Sequence, residues 1–385
     1  MTLSEAKVLM VSSVHRWNDV RIYYKEALSL AKVTNVHLIA VQVPSTPTIP
    51  DGLVSVELLP VNSSSQGAGA KSLGLRFRHI GLVMKAALQQ RFDVFHFHDP
   101  ELLPAGWLAK VRGKKVIYDI HEDYPAQILN KQWINKLLRK PLSKLFLIFE
   151  NTFAKKLDLL ITAGPLLNER FKKINPMTEI IHNFPLANEL FTKTEWQERK
   201  NEICFIGGIT RIRGLLEVLK ALEKIEDVVL NLAGKYFSQA YREELMKCKG
   251  WYKVKEWDWV ERDVVAEILS ISKIGILTYL PCPNHGDLRA TKMFEYMSAG
   301  IPVVASNFRA WKNVIEKYNC GICVDPKDPD EIARAIELLL RNDHIANEMG
   351  ENGRKVIESL FNWENEEKKL VKVYRSFFNE ERLLN

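Results

Sequence analysis

Short apolar runs rich in Val and Ile alternate with longer segments whose apolar residues recur at helical spacing, and the alternation passes along this chain twice. Lys7 to Val14 is the first such run, and Arg21 to Lys32 is the helical segment after it. Further strands are predicted near Val36 to Val43, Val54 to Leu59, Val94 to His98, Lys115 to Ile120, Leu159 to Thr162 and Glu179 to His182. A polar connection, Lys193 to Glu202, follows Pro185. The series then restarts near Ile203 to Ile206, Val228 to Ala233, Trp251 to Glu256, Ile274 to Thr278, Ile301 to Ala305 and Gly321 to Val324. Strands alternating with helices in this way require a parallel sheet covered on both faces. The pattern predicts an α/β protein of two Rossmann-like, doubly wound domains, residues 1–185 and 186–362, whose strand ends face each other across a cleft. Residues 363–385 add one amphipathic helix, Trp363 to Phe378, which could pack on either domain. Ser63 to Gly74, rich in Ser, Gly and Ala, reads as a mobile loop.

Composition narrows the function classes. A chain of 385 residues, 46% hydrophobic and 26% charged, is an ordinary globular one. The net charge of +7 suits a partner carrying phosphates or an anionic membrane surface, and its interspersed acids argue against nucleic acid. No apolar stretch is long enough to cross a bilayer, and Glu5 and Lys7 stand where a signal peptide needs an apolar block. A cytoplasmic protein is expected. Five cysteines do not form a disulfide framework. The single C-x-x-C, Cys320 and Cys323, lacks the second pair of a structural zinc site and reads as buried strand thiols.

Ligands of open parallel sheets bind outside the carboxyl ends of the strands, so the chemistry is sought there. The second domain opens with Gly207 and Gly208 directly after a strand, then Thr210, Arg211, Arg213 and Gly214 before a helix. Glycines allow close backbone approach, a helix start presents free N–H groups, and two guanidiniums can clamp a diphosphate; a plain turn is the alternative. After Thr278 come Asn284, His285, Gly286, Asp287 and Arg289, then Thr291, Lys292 and Glu295 within one helical turn. A carboxylate there suits a ribose diol and the cation a phosphate, or the two are a surface pair without function. In the first domain, His98-Asp99-Pro100-Glu101 and His121-Glu122-Asp123 each end an apolar strand, with His15, Arg16, Asp19 and Arg21 on the same rim. Two such polar groups at strand ends point to a site.

The blocks from Ser13 to Ile22 with Lys25-Glu26-Ala27, from His98 to Leu102, from Tyr118 to Asp123, Phe205-Ile206-Gly207 with Arg213-Gly214, and Lys292 to Met297 with Gly300 to Val304 together resemble retaining family-four glycosyltransferases of the GT-B fold, especially those building bacterial surface polysaccharides. The resemblance covers nearly the whole chain. It implies that Glu295 holds the donor ribose, that Arg213 replaces the usual lysine at the donor diphosphate, that Lys292 lies in the donor-binding helix with Thr291, and that His121 lies near the transferred sugar beside Glu122 and Asp123. It also implies that the helix from Trp363 crosses back onto the first domain. Asp287 stands where the first acid of the paired motif is usually glutamate, Gly208 where an arginine is usual with Arg211 as its substitute, and Ser12 to His15 replace a glycine-rich turn.

The implied reaction moves a sugar with retention from a nucleoside-diphosphate donor, UDP favoured, to a saccharide or lipid-linked acceptor. It passes through an oxocarbenium-like state in which the leaving diphosphate takes the acceptor proton, so the protein supplies cations and helix N-termini, with neither cofactor nor metal required. His121, Arg213, Lys292 and Asp287 are the expected catalytic groups. Gly207, Gly208, Arg211, Thr291 and Glu295 are expected at the donor. His15, Asp19, Arg21, His98, Asp99, Glu101, Glu122 and Asp123 are expected at the acceptor. A nucleotide-sugar epimerase or hydrolase, or a catalytically silent nucleotide-binding scaffold, is the alternative on the same fold. A dehydrogenase is disfavoured, because neither domain has a full G-x-G-x-x-G after its first strand. The segment 131–157 mixes Lys131, Lys136, Arg139, Lys140, Lys144, Lys155 and Lys156 with Trp133, Leu137, Leu138, Leu142, Leu145, Phe146, Ile148 and Phe149. It reads either as a surface that meets the membrane peripherally at its inner leaflet or as a helix whose apolar face lies in the core.

Overall fold

The computed structural model describes residues 2–42, 48–49, 52–60, 70–131, 134–282 and 290–378. The chain divides into two compact units, Met1–Asn183 with Glu366–Asn385, and Phe184–Asn365. Each is a parallel sheet with helices between its strands.

In the first unit the strands are β1 (Lys7–Arg16), β2 (Asn35–Gln42), β3 (Val54–Pro60), β4 (Val94–Phe97), β5 (Lys115–Ile120), β6 (Leu159–Thr162) and β7 (Thr178–Ile180). They pair in the order β3-β2-β1-β4-β5-β6-β7, every ladder parallel. β4 and β6 are buried at every position, as a sheet covered on both faces demands. The order reverses between β1 and β4, the switch point where open α/β sheets bind ligands.

The segment after β1 is not a regular α-helix. Val20–Ala27 winds as a π-helix before Leu28–Ala31 continues as α, with Asp19 accepting from the backbone N–H of Arg21 (2.9 Å) and Ile22 (3.0 Å) at its start. Bonding from i to i+5 brings residues four and five apart onto one face, and Arg21, Lys25 and Glu26 are all buried there. Ala70 to Gly74 lie in the helix Ala70–Gln89 rather than in a loop; the rest of the expected loop, 63–69, lies outside the described residues.

In the second unit β8 (Glu202–Ile206), β9 (Val229–Ala233), β10 (Val254–Asp258), β11 (Ile274–Leu277), β12 (Val303–Ser306) and β13 (Gly321–Val324) pair in the order β10-β9-β8-β11-β12-β13, again all parallel. β10 starts later than the sequence suggests, because Lys249–Lys253 form a 3₁₀ turn in which Lys253 donates to the carbonyls of Leu222 and Ile225. β12 starts after Pro302, which has no N–H to give the ladder. The switch point here falls between β8 and β11. Cys320 and Cys323 are free thiols, and burial pushes each up to about 12.

The closing helix, Trp363–Phe377, buries Leu370 and Tyr374. Its Tyr374 hydroxyl lies 2.8 Å from His96 Nδ1, and Glu367 accepts from Lys32 at 2.7 Å.

Candidate functional site

At the switch point of the second unit, Gly207 follows β8 with φ +126°, a conformation L side chains rarely adopt. A Cβ there would lie 2.6 Å from Arg213 Nη1 and 3.5 Å from Lys292 Cε, so two cationic side chains converge on the point where the backbone is bare. Gly208 lies against the ring of Phe237.

Arg213 is placed by the 3₁₀ turn Arg211–Arg213, whose Ile212 carbonyl accepts from Leu280 N–H after β11 (2.7 Å). Gly214, φ +73°, then lets the chain pass the end of β11, where a Cβ would lie 1.9 Å from the Thr278 carbonyl oxygen. The helix Leu215–Leu222 begins there without a side-chain cap, its first N–H groups at the switch point. Arg213 stacks over the Tyr279 ring at 5.2 Å, and among the described residues no carboxylate pairs with it.

Arg211 departs from expectation. It pairs with Glu244 at the surface and lies over the Tyr241 ring, so the two-guanidinium clamp is not assembled. Two residues on, Arg213 is placed on the Gly207 side by the Leu280 contact, while Arg211 finds a carboxylate outward.

Thr291 opens the helix Thr291–Ser298, which follows β11 in the chain. The buried Tyr296 hydroxyl accepts from Ile206 N–H (3.1 Å) and donates to the Ile276 carbonyl (3.3 Å), locking this helix to β8 and β11. Glu295 stands one turn in. Its Oε1 accepts from Arg262 Nη1 (2.9 Å) and its Oε2 from Lys292 Nζ (2.5 Å). Burial alone would raise this carboxyl; Lys292 and Arg262 outweigh it and hold the group at about 2. Arg262 is itself gripped by Glu189 at 2.6 and 2.9 Å. Sequence reading missed Arg262 and Glu189, which are far apart in the chain and belong to no motif. Asp287 and its neighbours Asn284 to Gly286 and Arg289 lie outside the described residues.

In the first unit the strand-end residues gather at the β1/β4/β5 ends. Asp99 is buried and accepts from Ser12 Oγ (2.8 Å) and Ser13 N–H (2.7 Å), while Ser13 Oγ also reaches Glu101 (3.0 Å). His15 Nδ1 lies 3.2 Å from Asp19, and the His15 and His121 rings are 5.7 Å apart. Burial would lower His15, but its bond to Asp19 and the charge of Asp99 carry it up to about 9. His121 Nε2 lies 2.9 Å from Asp119 Oδ2 and 3.4 Å from His98 Nδ1.

Arg21 is not a rim residue. It is buried, donating to Asp119 (2.9 and 3.0 Å) and the Ile181 carbonyl (2.9 Å) and pairing with Glu26 (2.9 Å). The π-helix turns it inward, where two carboxylates need a cation. His98 is buried too, which holds it below the usual histidine range. Glu122 is taken by Gln127 near the surface, and Asp123 caps the helix Tyr124–Asn130 at Ala126 N–H (3.1 Å). Asp119, which sequence reading passed over, is the hub of this network. Its signal was there: a carboxylate in an apolar strand, two residues before His121 and so on the same face.

Glu26, His96, His98 and Asp119 have ligand atoms within 4.8 Å of one another, close enough to hold a metal ion. Arg21 pairs with both carboxylates, and burial beside Asp119 pushes Glu26 well above the usual carboxylate range, so the guanidinium and one ionised carboxylate already balance this cluster.

Comparison with known proteins decides the family. The description Glycosyltransferase Family 4 fits residues 27–184, and Glycosyl transferases group 1 fits residues 187–356. The chain is a family-four glycosyltransferase of the GT-B fold. An uncharacterized glycosyltransferase of Methanocaldococcus jannaschii is 25% identical over 284 residues, 65% of this chain and 69% of its own. Among solved structures, the sucrose-phosphate synthase of Thermosynechococcus elongatus superposes with a TM-score of 0.75 at 18% identity, covering 97% of this glycosyltransferase and 100% of that chain. Anabaena HepE in complex with UDP and glucose does so with a TM-score of 0.71 at 15% identity, covering 97% and 100%. In this glycosyltransferase Gly207, Arg213 and Lys292 lie at the switch point of the second sheet, and Ser13, Asp99 and His121 at the strand ends of the first.

Proposed function

We propose that this glycosyltransferase transfers a sugar, with retention of anomeric configuration, from a nucleoside-diphosphate sugar to a saccharide acceptor in the building of a cell-envelope polysaccharide or glycoconjugate. The observation that carries the donor half is the convergence of Arg213 and Lys292 on the bare backbone of Gly207, with the carboxylate of Glu295 beside them. Two cations and an uncapped helix start suit a diphosphate, and a carboxylate suits a ribose diol. UDP is the favoured nucleotide, in line with HepE, which has been seen with UDP and glucose. The acceptor oxygen bonds to the anomeric carbon as the bond from that carbon to the diphosphate oxygen breaks. The acceptor proton goes to the departing diphosphate, whose charge Arg213 and Lys292 stabilise. No cofactor or metal takes part in this scheme. His121, held by Asp119, stands with His15, Asp19 and Glu101 on the acceptor side, backed by the buried His98 and Asp99.

Arg213→Ala tests the donor half: turnover should fall about 10²- to 10³-fold with the fold intact by circular dichroism. Near-normal rates would refute the role. Product analysis with an acceptor present separates transfer from epimerisation or hydrolysis.

A lipid-linked acceptor, met peripherally at the cytoplasmic face of the membrane, is supported by the helix Lys136–Ala154. Among the described residues no helix is long and apolar enough to cross a membrane. On this helix, however, Leu137 is 85% exposed, Leu145 64% and Ile148 55%, and Leu138 and Leu142 are exposed too, so these residues do not form a core face. They stand among Lys136, Arg139, Lys140 and Lys144, the mixture that lies in an anionic interface. Trp133 of the same segment lies outside the described residues. Vesicles containing anionic lipid should bind the protein, and replacing Lys136, Arg139 and Lys140 by Glu should release it. An unmodified protein that ignores such vesicles would end this part of the proposal.

A further inference from the structure

The donor reading leaves one arrangement unexplained: Glu295, which that reading assigns to the ribose diol, is closed. Only 5% of the residue is exposed, and both carboxylate oxygens are engaged, Oε1 by Arg262 and Oε2 by Lys292. The two cations are not alike. Arg262 is clamped from behind by both oxygens of Glu189, so its fork is fixed on Oε1. Lys292 holds Oε2 through a flexible four-carbon stem that passes beside Gly207, where Arg213 also points. An ammonium on such a stem can leave a carboxylate for a phosphate without moving its helix.

We propose that Lys292 gates Glu295: it occupies Oε2 until a diphosphate draws its ammonium to the Gly207 turn, so the ribose site opens more readily to ligands that bring a diphosphate. This rests on the donor reading above and adds to it a rule of selection, nucleoside diphosphates over the nucleosides that share their base and ribose. A diphosphate brings more negative charge than one carboxylate and competes for the ammonium, while Arg262 keeps Glu295 neutralised after Lys292 departs. A neutral nucleoside brings nothing to attract Lys292. It must displace a largely buried ion pair unaided, which costs it at least about fivefold to tenfold in affinity.

The gate predicts effects of opposite sign. By isothermal titration calorimetry, Lys292→Met should bind uridine about fivefold to tenfold more tightly than the unmodified protein and UDP at least tenfold more weakly. Lys292→Gln, which keeps a polar end on a shorter, uncharged side chain, should shift both in the same directions by less. In a Lys292→Met, Glu295→Gln double variant the gain for uridine should vanish. Guanosine with GDP and adenosine with ADP are titrated in parallel, and the pair that binds is the one compared. A Lys292 that only supports the fold would weaken both ligands together. If the unmodified protein binds a diphosphate and Lys292→Met binds its nucleoside no more tightly, the gate is wrong and the donor reading stands. If the unmodified protein binds none of the three diphosphates, the donor reading falls and the gate with it.

Discussion

Placing an alanine at position 207 perturbs the donor half in a way the structure makes quantitative. The new Cβ meets Arg213 Nη1 at 2.6 Å in a backbone held at φ +126°. The backbone strain costs about 1–3 kcal/mol. In a unit of this size that lowers the melting temperature by roughly 2–12 °C. The clash falls on the far end of a flexible side chain, so the larger effect is functional: Arg213 leaves the turn, and a charge-assisted contact worth about 1.5–3 kcal/mol is lost. UDP affinity should therefore fall about 10- to 150-fold by calorimetry. Arg213→Ala should cost a similar amount, and the Gly207→Ala, Arg213→Ala double variant no more than the worse single one, because both remove one interaction. Wild-type UDP affinity in Gly207→Ala, or losses that multiply in the double variant, would refute the placing of Arg213 by Gly207.

The first unit makes its own predictions. His15 is carried above its unfolded value of 6.5 to about 9, so its contribution to stability is whole below pH 6.5 and fades as pH rises through 9. Melting temperatures of the unmodified protein and His15→Gln, scanned from pH 6 to 10, should converge at the alkaline end; a constant difference would contradict this. Asp119→Asn removes one carboxylate from a buried pair with Arg21 and should cost about 3–5 kcal/mol in denaturant unfolding. A loss below about 1 kcal/mol would mean that Glu26 alone suffices for Arg21.

The alternation of strands and helices was legible because each element carries its period locally, and a strand buried on both faces leaves a continuous apolar run. Gly207 and Arg213, proposed for the donor, were legible for a related reason: they follow β8, whose end the sequence already marks, whereas Glu295, inside a helix, was singled out by the resemblance. What was hidden is what tertiary structure alone decides. Nothing local says that the π-helix turns Arg21 inward onto Asp119 while His15 stays partly open, or that Arg211 goes to Glu244. Arg262 reaches Glu295 only because the helices that follow β10 and β11 pack into one apolar cluster. For the helix Lys136–Ala154 the sequence left a core face and an outward surface open, and burial settles that its leucines face outward.

The central claim is that the switch point of the second sheet binds a nucleoside diphosphate. A crystal structure with UDP bound tests it most directly. The account predicts diphosphate oxygens within hydrogen-bond reach of Arg213 and Lys292 at the Gly207 turn, and the ribose hydroxyls on Glu295. A diphosphate bound elsewhere, with Arg213 and Glu295 untouched, would contradict it.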